Sequence, residues 1–156
     1  MTGKRLITRP LTAESAAQAF PLIREVSGAG TLQEWLQFAQ ERIKGGVETG
    51  VIVCERGPYI RGLFGWETGQ GVGGQRRLIV QHFSVPGAWP PGDVIEALLD
   101  AIDTLAVQLG CREIHVEMPI SSQLHPAFAK HGLLPGSVGL YREIDGAESS
   151  SIKPNA

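Results

Sequence analysis

Glu113, His115 and Glu117 alternate with Ile114, Val116 and Met118. In a strand, that alternation puts three titratable side chains on one face and three apolar ones on the other. His115 and Glu117 would then be neighbours on one face, a pair suited to general acid–base work. A solvated, lightly hydrogen-bonded face is the plainer reading of the same residues. His82 lies in an earlier run, Arg77 to Val85. A regular strand there puts Ile79, Gln81 and Phe83 on one face and His82 on the other, so His82 joins them only through a bulge. Ser84 and Ser121 lack the G-x-S-x-G turn of an exposed nucleophile. The spacing of His125 and His131 does not stack two ligands on one helix face, and no cysteine pair stands near them, which speaks against zinc.

The stretch Trp89-Pro90-Pro91-Gly92-Asp93-Val94 leads into the strongest helical pattern of the chain. A helix start binds anions through its free N–H groups. Pro90 and Pro91 have no N–H to offer. Asp93, read as the N-cap, puts a carboxylate on those groups, where it competes with and repels a phosphate. A Pro-rich turn into a well-capped helix explains these residues equally well. Trp89 either covers a pocket mouth or packs down onto the sheet.

The elements that must position these groups follow from periodicity and punctuation. Leu6 to Arg9 is a short strand stopped by Pro10. Thr12 caps a first helix with Ala16, Phe20 and Ile23 in one stripe, kinked or split at Pro21. Thr31 and Glu34 form a capping box for a second helix through Ile43, ended by Gly45-Gly46. Gly50–Glu55, Tyr59–Trp66 and Arg77–Val85 form an antiparallel meander. A long helix from Asp93 to Leu109, closed by Gly110, precedes the strand Glu113–Met118, so the strands on either side of it should be parallel neighbours. They should splay beyond Val85. A short helix follows, His125 to His131, then a last strand, Val138 to Ile144.

The 156 residues suit one domain, over 1–145, with a polar, flexible tail at 146–156. Hydrophobic residues make up 42% and charged residues 19%, enough apolar content for a packed core. The net charge of -2 leaves no basic footprint for nucleic acid or an anionic membrane. No apolar run is long enough for a membrane span. Two cysteines cannot make a disulfide framework, and Cys54, after Val51-Ile52-Val53, reads as a small buried hydrophobe. A cytoplasmic location is expected.

The order β-α-α-β-β-β-α-β-α-β resembles the GNAT superfamily of acyl-CoA-dependent N-acyltransferases. Ile7-Thr8-Arg9-Pro10-Leu11-Thr12 looks like that family's opening strand and turn. Gly57 to Gly62 looks like its second hairpin, and Ala127 to Leu133, AFAKHGL, like its LYEKLGF segment. The resemblance implies an α+β fold, a mixed central sheet with helices on both faces. It implies acetyl transfer from acetyl-CoA, as co-substrate, to an amine of a small molecule or protein terminus. The family's R/Q-x-x-G-x-G/A loop falls on residues 89–94, where only Gly92 matches, so CoA binding should be weak or absent. The implied cofactor contacts are Phe83, Ser84 and Val85 along the pantetheine arm and Trp89, Gly92, Asp93 and Val94 at the pyrophosphate. The family's proton-donating Tyr corresponds to Phe128, which has no proton to give, and its Asn to Ser121. Glu117 is then the first candidate for acid–base work and His82 the second. The competing reading is a non-catalytic binding or regulatory domain that kept the fold and lost cofactor chemistry.

Overall fold

The computed structural model describes residues 5–27, 30–87, 91–119, 122–136 and 139–144. A five-stranded sheet runs in the order β1-β2-β3-β4-β5. Its strands are β1 (Leu6–Pro10), β2 (Thr49–Arg56), β3 (Tyr59–Gln70), β4 (Arg76–Ser84) and β5 (Glu113–Val116). The first three pairings are antiparallel. β4 and β5 are parallel, with Leu78 opposite Ile114 and Val80 opposite Val116. The helix between them is α3 (Gly92–Gln108), so the expected β-α-β unit is formed.

Helices cover both faces. On one, α1 (Phe20–Ser27) and α2 (Leu32–Lys44) enclose a core of Leu11, Ile23, Trp35, Ala39, Val53 and Leu63. Trp35 donates from Nε1 to Ala16 O at 2.7 Å, so its one polar atom is satisfied inside that core. On the other face, α3 lays Leu98, Leu99 and Ile102 over Phe64, Leu78 and Val80. A Cβ at Gly62 would lie 2.9 Å from Leu98 Cδ1, so glycine there is what lets α3 come down onto the sheet. Cys54 is fully buried among these residues, and burial pushes its thiol pKa up, as befits a hydrophobe. Among the described residues, no helix is long and apolar enough to cross a membrane.

Several expectations change in detail. The first helix does not start at Thr12. Thr12 and Ser15 bond each other's hydroxyls at 3.0 Å, a 3-10 turn follows at Ala16–Ala19, and α1 begins at Phe20. Pro21 therefore sits in the first turn, where its missing N–H costs nothing, and produces no mid-helix kink. Thr31 caps α2 as expected, accepting from Glu34 N at 3.1 Å. The N-cap of α3 is Pro91, not Asp93, because Gly92 already has helical backbone. β5 stops at Val116, short of Met118. Residues 139–144 form no strand, and Leu140, Tyr141 and Ile144 are exposed. Their alternation suits a pleated, half-buried surface, but none of the described residues buries it, and strand propensity without burial is weak. Val138 and residues 146–156 lie outside the described residues.

Candidate active site at the β4–β5 cleft

The parallel pairing of β4 with β5 ends early. Its last bond is Glu117 N to Val80 O at 2.9 Å, although β4 continues to Ser84. The strands thus part after Val80, sooner than the expected Val85. The other edge of β4 is irregular just past this point. Gly65 pairs with Gln81, but Leu63 pairs with Ser84, so His82 and Phe83 together oppose Phe64. That is a β-bulge, and His82 occupies it with φ 56°, a left-handed conformation uncommon for any residue but glycine.

The bulge reverses the side-chain alternation. Before it, Leu78 and Val80 face α3. After it, Phe83 and Val85 do. Phe83 lies parallel to Phe64 at 6.4 Å and meets Phe128 edge-on at 4.8 Å. Phe83 therefore does not share a face with Ile79 and Gln81, as a regular strand would require. Ser84 turns to the other layer, where its hydroxyl donates to Leu22 O at 3.1 Å.

His82 consequently stands on the α2 side with Gln81. Its ring meets Phe38 edge-on at 5.7 Å. Burial, and next the Arg42 cation, hold the imidazole below its ordinary pKa, while the Glu117 carboxylate pulls the other way. The result is a half-buried imidazole that is neutral at pH 7 and within the field of an exposed carboxylate. A neutral imidazole can accept a proton.

Glu117 bonds Gln81, whose Nε2 donates to Oε2 at 3.2 Å. The expected His115–Glu117 pair is not formed. His115 lies 3.6 Å from Glu113, which also meets Arg77 at 3.4 Å, and these make a half-buried ladder along the sheet. The two remaining histidines go separate ways. His125 Nε2 bonds Pro119 O at 3.1 Å, and His131 Nε2 lies 2.7 Å from Asp103, tying the end of α4 (His125–Lys130) to α3.

The phosphate end of the expected cofactor site is poorly provided. Val94 is buried against the core, and its N–H is taken by Asp93 Oδ1 at 2.9 Å. Asp93 also pairs with Arg56 at the end of β2, which lowers its pKa and balances its charge. The repulsion expected of Asp93 is thus partly offset, but the Arg56 cation is already engaged. Gly92 is exposed and a Cβ there would meet nothing, so no close packing requires it to be glycine. Trp89 and Ser121 lie outside the described residues. The pantetheine end fits better. Among the described residues, no strand pairs with the β5-side edge of β4 beyond Val80, which leaves backbone groups for an extended ligand. Phe83, Ser84 and Val85 are all buried, so their backbone rather than their side chains would serve.

A cavity of about 480 Å³ is lined by Pro10, Ile52 and Trp66 of the sheet, by Arg42 at the end of α2 and by Ala97, Ala101 and Thr104 of α3. It includes none of the expected site residues. Two residues that matter were not legible in advance. Arg42, in the last turn of α2, reads from sequence as a cation at a helix C-terminus, and Gln81 as a polar strand residue. Only the fold brings them to Glu117.

No protein-family model matches the sequence, and no curated protein matches it. Solved structures do. An aminoglycoside N-acetyltransferase in complex with CoA is 13% identical, with a TM-score of 0.78 over 91% of this chain and 97% of that one. A glucosamine-6-phosphate N-acetyltransferase from Arabidopsis thaliana is 16% identical, with a TM-score of 0.70 over 91% of this chain and 100% of that one. A transcriptional regulator from Bacillus halodurans C-125 is 14% identical, with a TM-score of 0.77 over 90% and 100%. The fold of this chain is the α+β fold of the GNAT acetyltransferases.

Proposed function

We propose that the protein is an acyl-CoA-dependent N-acetyltransferase that transfers acetyl from acetyl-CoA to an amine of a small molecule or peptide. The observation that carries this reading is the bulge at His82. It puts a half-buried imidazole on the same side of the sheet as Gln81, the residue that bonds Glu117, at the point where β4 and β5 part. Acetyl-CoA supplies an activated acetyl group and a thiolate leaving group. Glu117 receives the acceptor as its ammonium. His82 takes one proton from that ammonium, which frees the amine lone pair; as the neutral amine forms the C–N bond and the C–S bond breaks, its second proton passes to water. Phe128 is buried and has no proton for the thiolate, which is protonated by water. Backbone groups of β4 past Val80 align the pantetheine arm, and holding the two reactants together is itself a large effect. The α3 start fits the pyrophosphate poorly, so CoA binds weakly. The unit is one domain over residues 1–145 with a tail, acting in the cytoplasm, where its two free cysteines stay reduced. It needs no nucleic acid or membrane.

A second reading is favoured by the occupied N–H of Val94 and the buried Phe128: a binding or regulatory domain with GNAT architecture and no transfer chemistry. Calorimetric titration with acetyl-CoA, followed by thiol-release assays over a panel of amines, separates the two. Weak binding with turnover that falls in a His82→Ala variant supports the enzyme. Binding or transfer absent with every amine tried supports the regulatory domain.

A further inference from the structure

Arg42 closes the last turn of α2, where a cation is favourable for the helix alone. Its guanidinium does more than that. One amino group, Nη1, donates to Trp66 O at 2.9 Å, and the other, Nη2, donates to Gln81 Oε1 at 3.0 Å. The guanidinium carbon lies 4.8 Å from the Phe38 ring centre. A guanidinium only donates, so Gln81 must present its oxygen to Arg42. Its NH2 group is then left for Glu117, which only accepts when ionised. Reversing the amide would set donor against donor at Arg42 and oxygen against oxygen at Glu117. The chain Arg42–Gln81–Glu117 has one consistent polarity, and its origin is the helix, not the strand.

We propose that Arg42 is the positioning residue of this site: acting through Gln81, it holds the Glu117 carboxylate at the point where β4 and β5 part, where the ammonium of the acceptor is received. The proposal rests on the acetyltransferase reading for what Glu117 receives, and on geometry for how Glu117 is held. Among the described residues, the charges that act on His82 are Arg42 from α2 and Glu117 beyond β5, while Phe38 from α2 meets its ring and Gly65 from β3 lies against it. Arg42 therefore orients one member of the site and opposes protonation of the other.

Three variants test this in the purified protein: Arg42→Met, Arg42→Lys and Gln81→Leu. NMR of the histidine rings and of the Gln81 side-chain amide needs no activity. In Arg42→Met the His82 titration midpoint moves up, since a cation is gone, and the Gln81 amide signals shift. In Arg42→Lys the midpoint stays nearer that of the parent, because the charge is kept, while the Gln81 signals still shift, because the fork is lost. Steady-state assays should show the KM for the amine rising about tenfold in Gln81→Leu and Arg42→Lys, the loss of roughly one charge-assisted hydrogen bond. If Arg42→Met leaves both NMR signatures in place, the proposal is overturned whether or not the protein is active. If Arg42→Met does not fold, an unchanged KM in Gln81→Leu overturns it. If the signatures move but no amine is acetylated, the acetyltransferase reading fails and the hold of Arg42 on Gln81 stands.

Discussion

The two halves of β4 behave as different strands. From Arg76 to Val80 the strand is regular, paired on both edges, and buries Leu78 and Val80 under α3. From Gln81 to Ser84 it is bulged, paired on one edge, and carries His82 and the hydrogen-bonded Gln81. The first half has full pairing and a packed face. The second gives up pairing with β5 and accepts an uncommon φ at His82. The difference shows how one residue in left-handed conformation can turn a core strand into a site while Phe83 and Val85 still reach the core.

If this division holds, damage should differ in kind between the halves. Leu78→Ala, in the regular half, should cost about 3 kcal/mol, because it leaves a cavity under α3. Urea unfolding measures it, and a loss below ~1 kcal/mol would mean that this half is not the anchor. His82→Ala should instead leave the fold standing and lower turnover by roughly a hundredfold at neutral pH. His82→Gly sharpens the contrast, since glycine accepts φ 56° freely: its stability should stay within ~1 kcal/mol of the parent while activity is lost.

Phe128→Tyr tests the aromatic contact just beyond the bulge. A hydroxyl on this buried ring should destabilise by about 1–2 kcal/mol and bring no gain in rate. A clear gain would show that position 128 faces the reacting atoms. Asp93→Asn keeps an oxygen for Val94 N and releases Arg56. It should tighten CoA binding roughly threefold, by removing a charge near the helix start. Calorimetry giving equal or weaker binding would place the phosphates away from α3.

The smallest effect is on pH. His82 has a folded pKa below its unfolded value, so the unfolded chain binds the proton more readily. Its contribution to stability is therefore fully present above the unfolded pKa of about 6.5 and is lost as pH falls through the folded value. His82→Gly should flatten the stability profile in that window. An unchanged profile would mean that His82 is not shifted by its surroundings.

Periodicity and punctuation were enough for the element order up to α4, the β4–β5 parallel pair and most of the core. Those features repeat locally: Leu98, Leu99 and Ile102 mark one side of a helix wherever that helix is placed. The bulge was visible only as a condition, since nothing in Gln81-His82-Phe83 demands it. It shows only in the pairing with β3, where Leu63 stands opposite Ser84 and Gly65 opposite Gln81. Asp93 was read correctly as a carboxylate at the start of α3, but Arg56 reaches it from β2, across a separation that no local pattern reports. The strand expected over 138–144 shows the converse, an alternating pattern that finds no partner among the described residues. The amino-acid sequence by itself determined which segments fold and which side of each is apolar, because those are properties of neighbours in the chain. Only the tertiary structure decided which side His82 takes, what holds Glu117 and where β4 and β5 part, because each depends on groups brought together from distant segments.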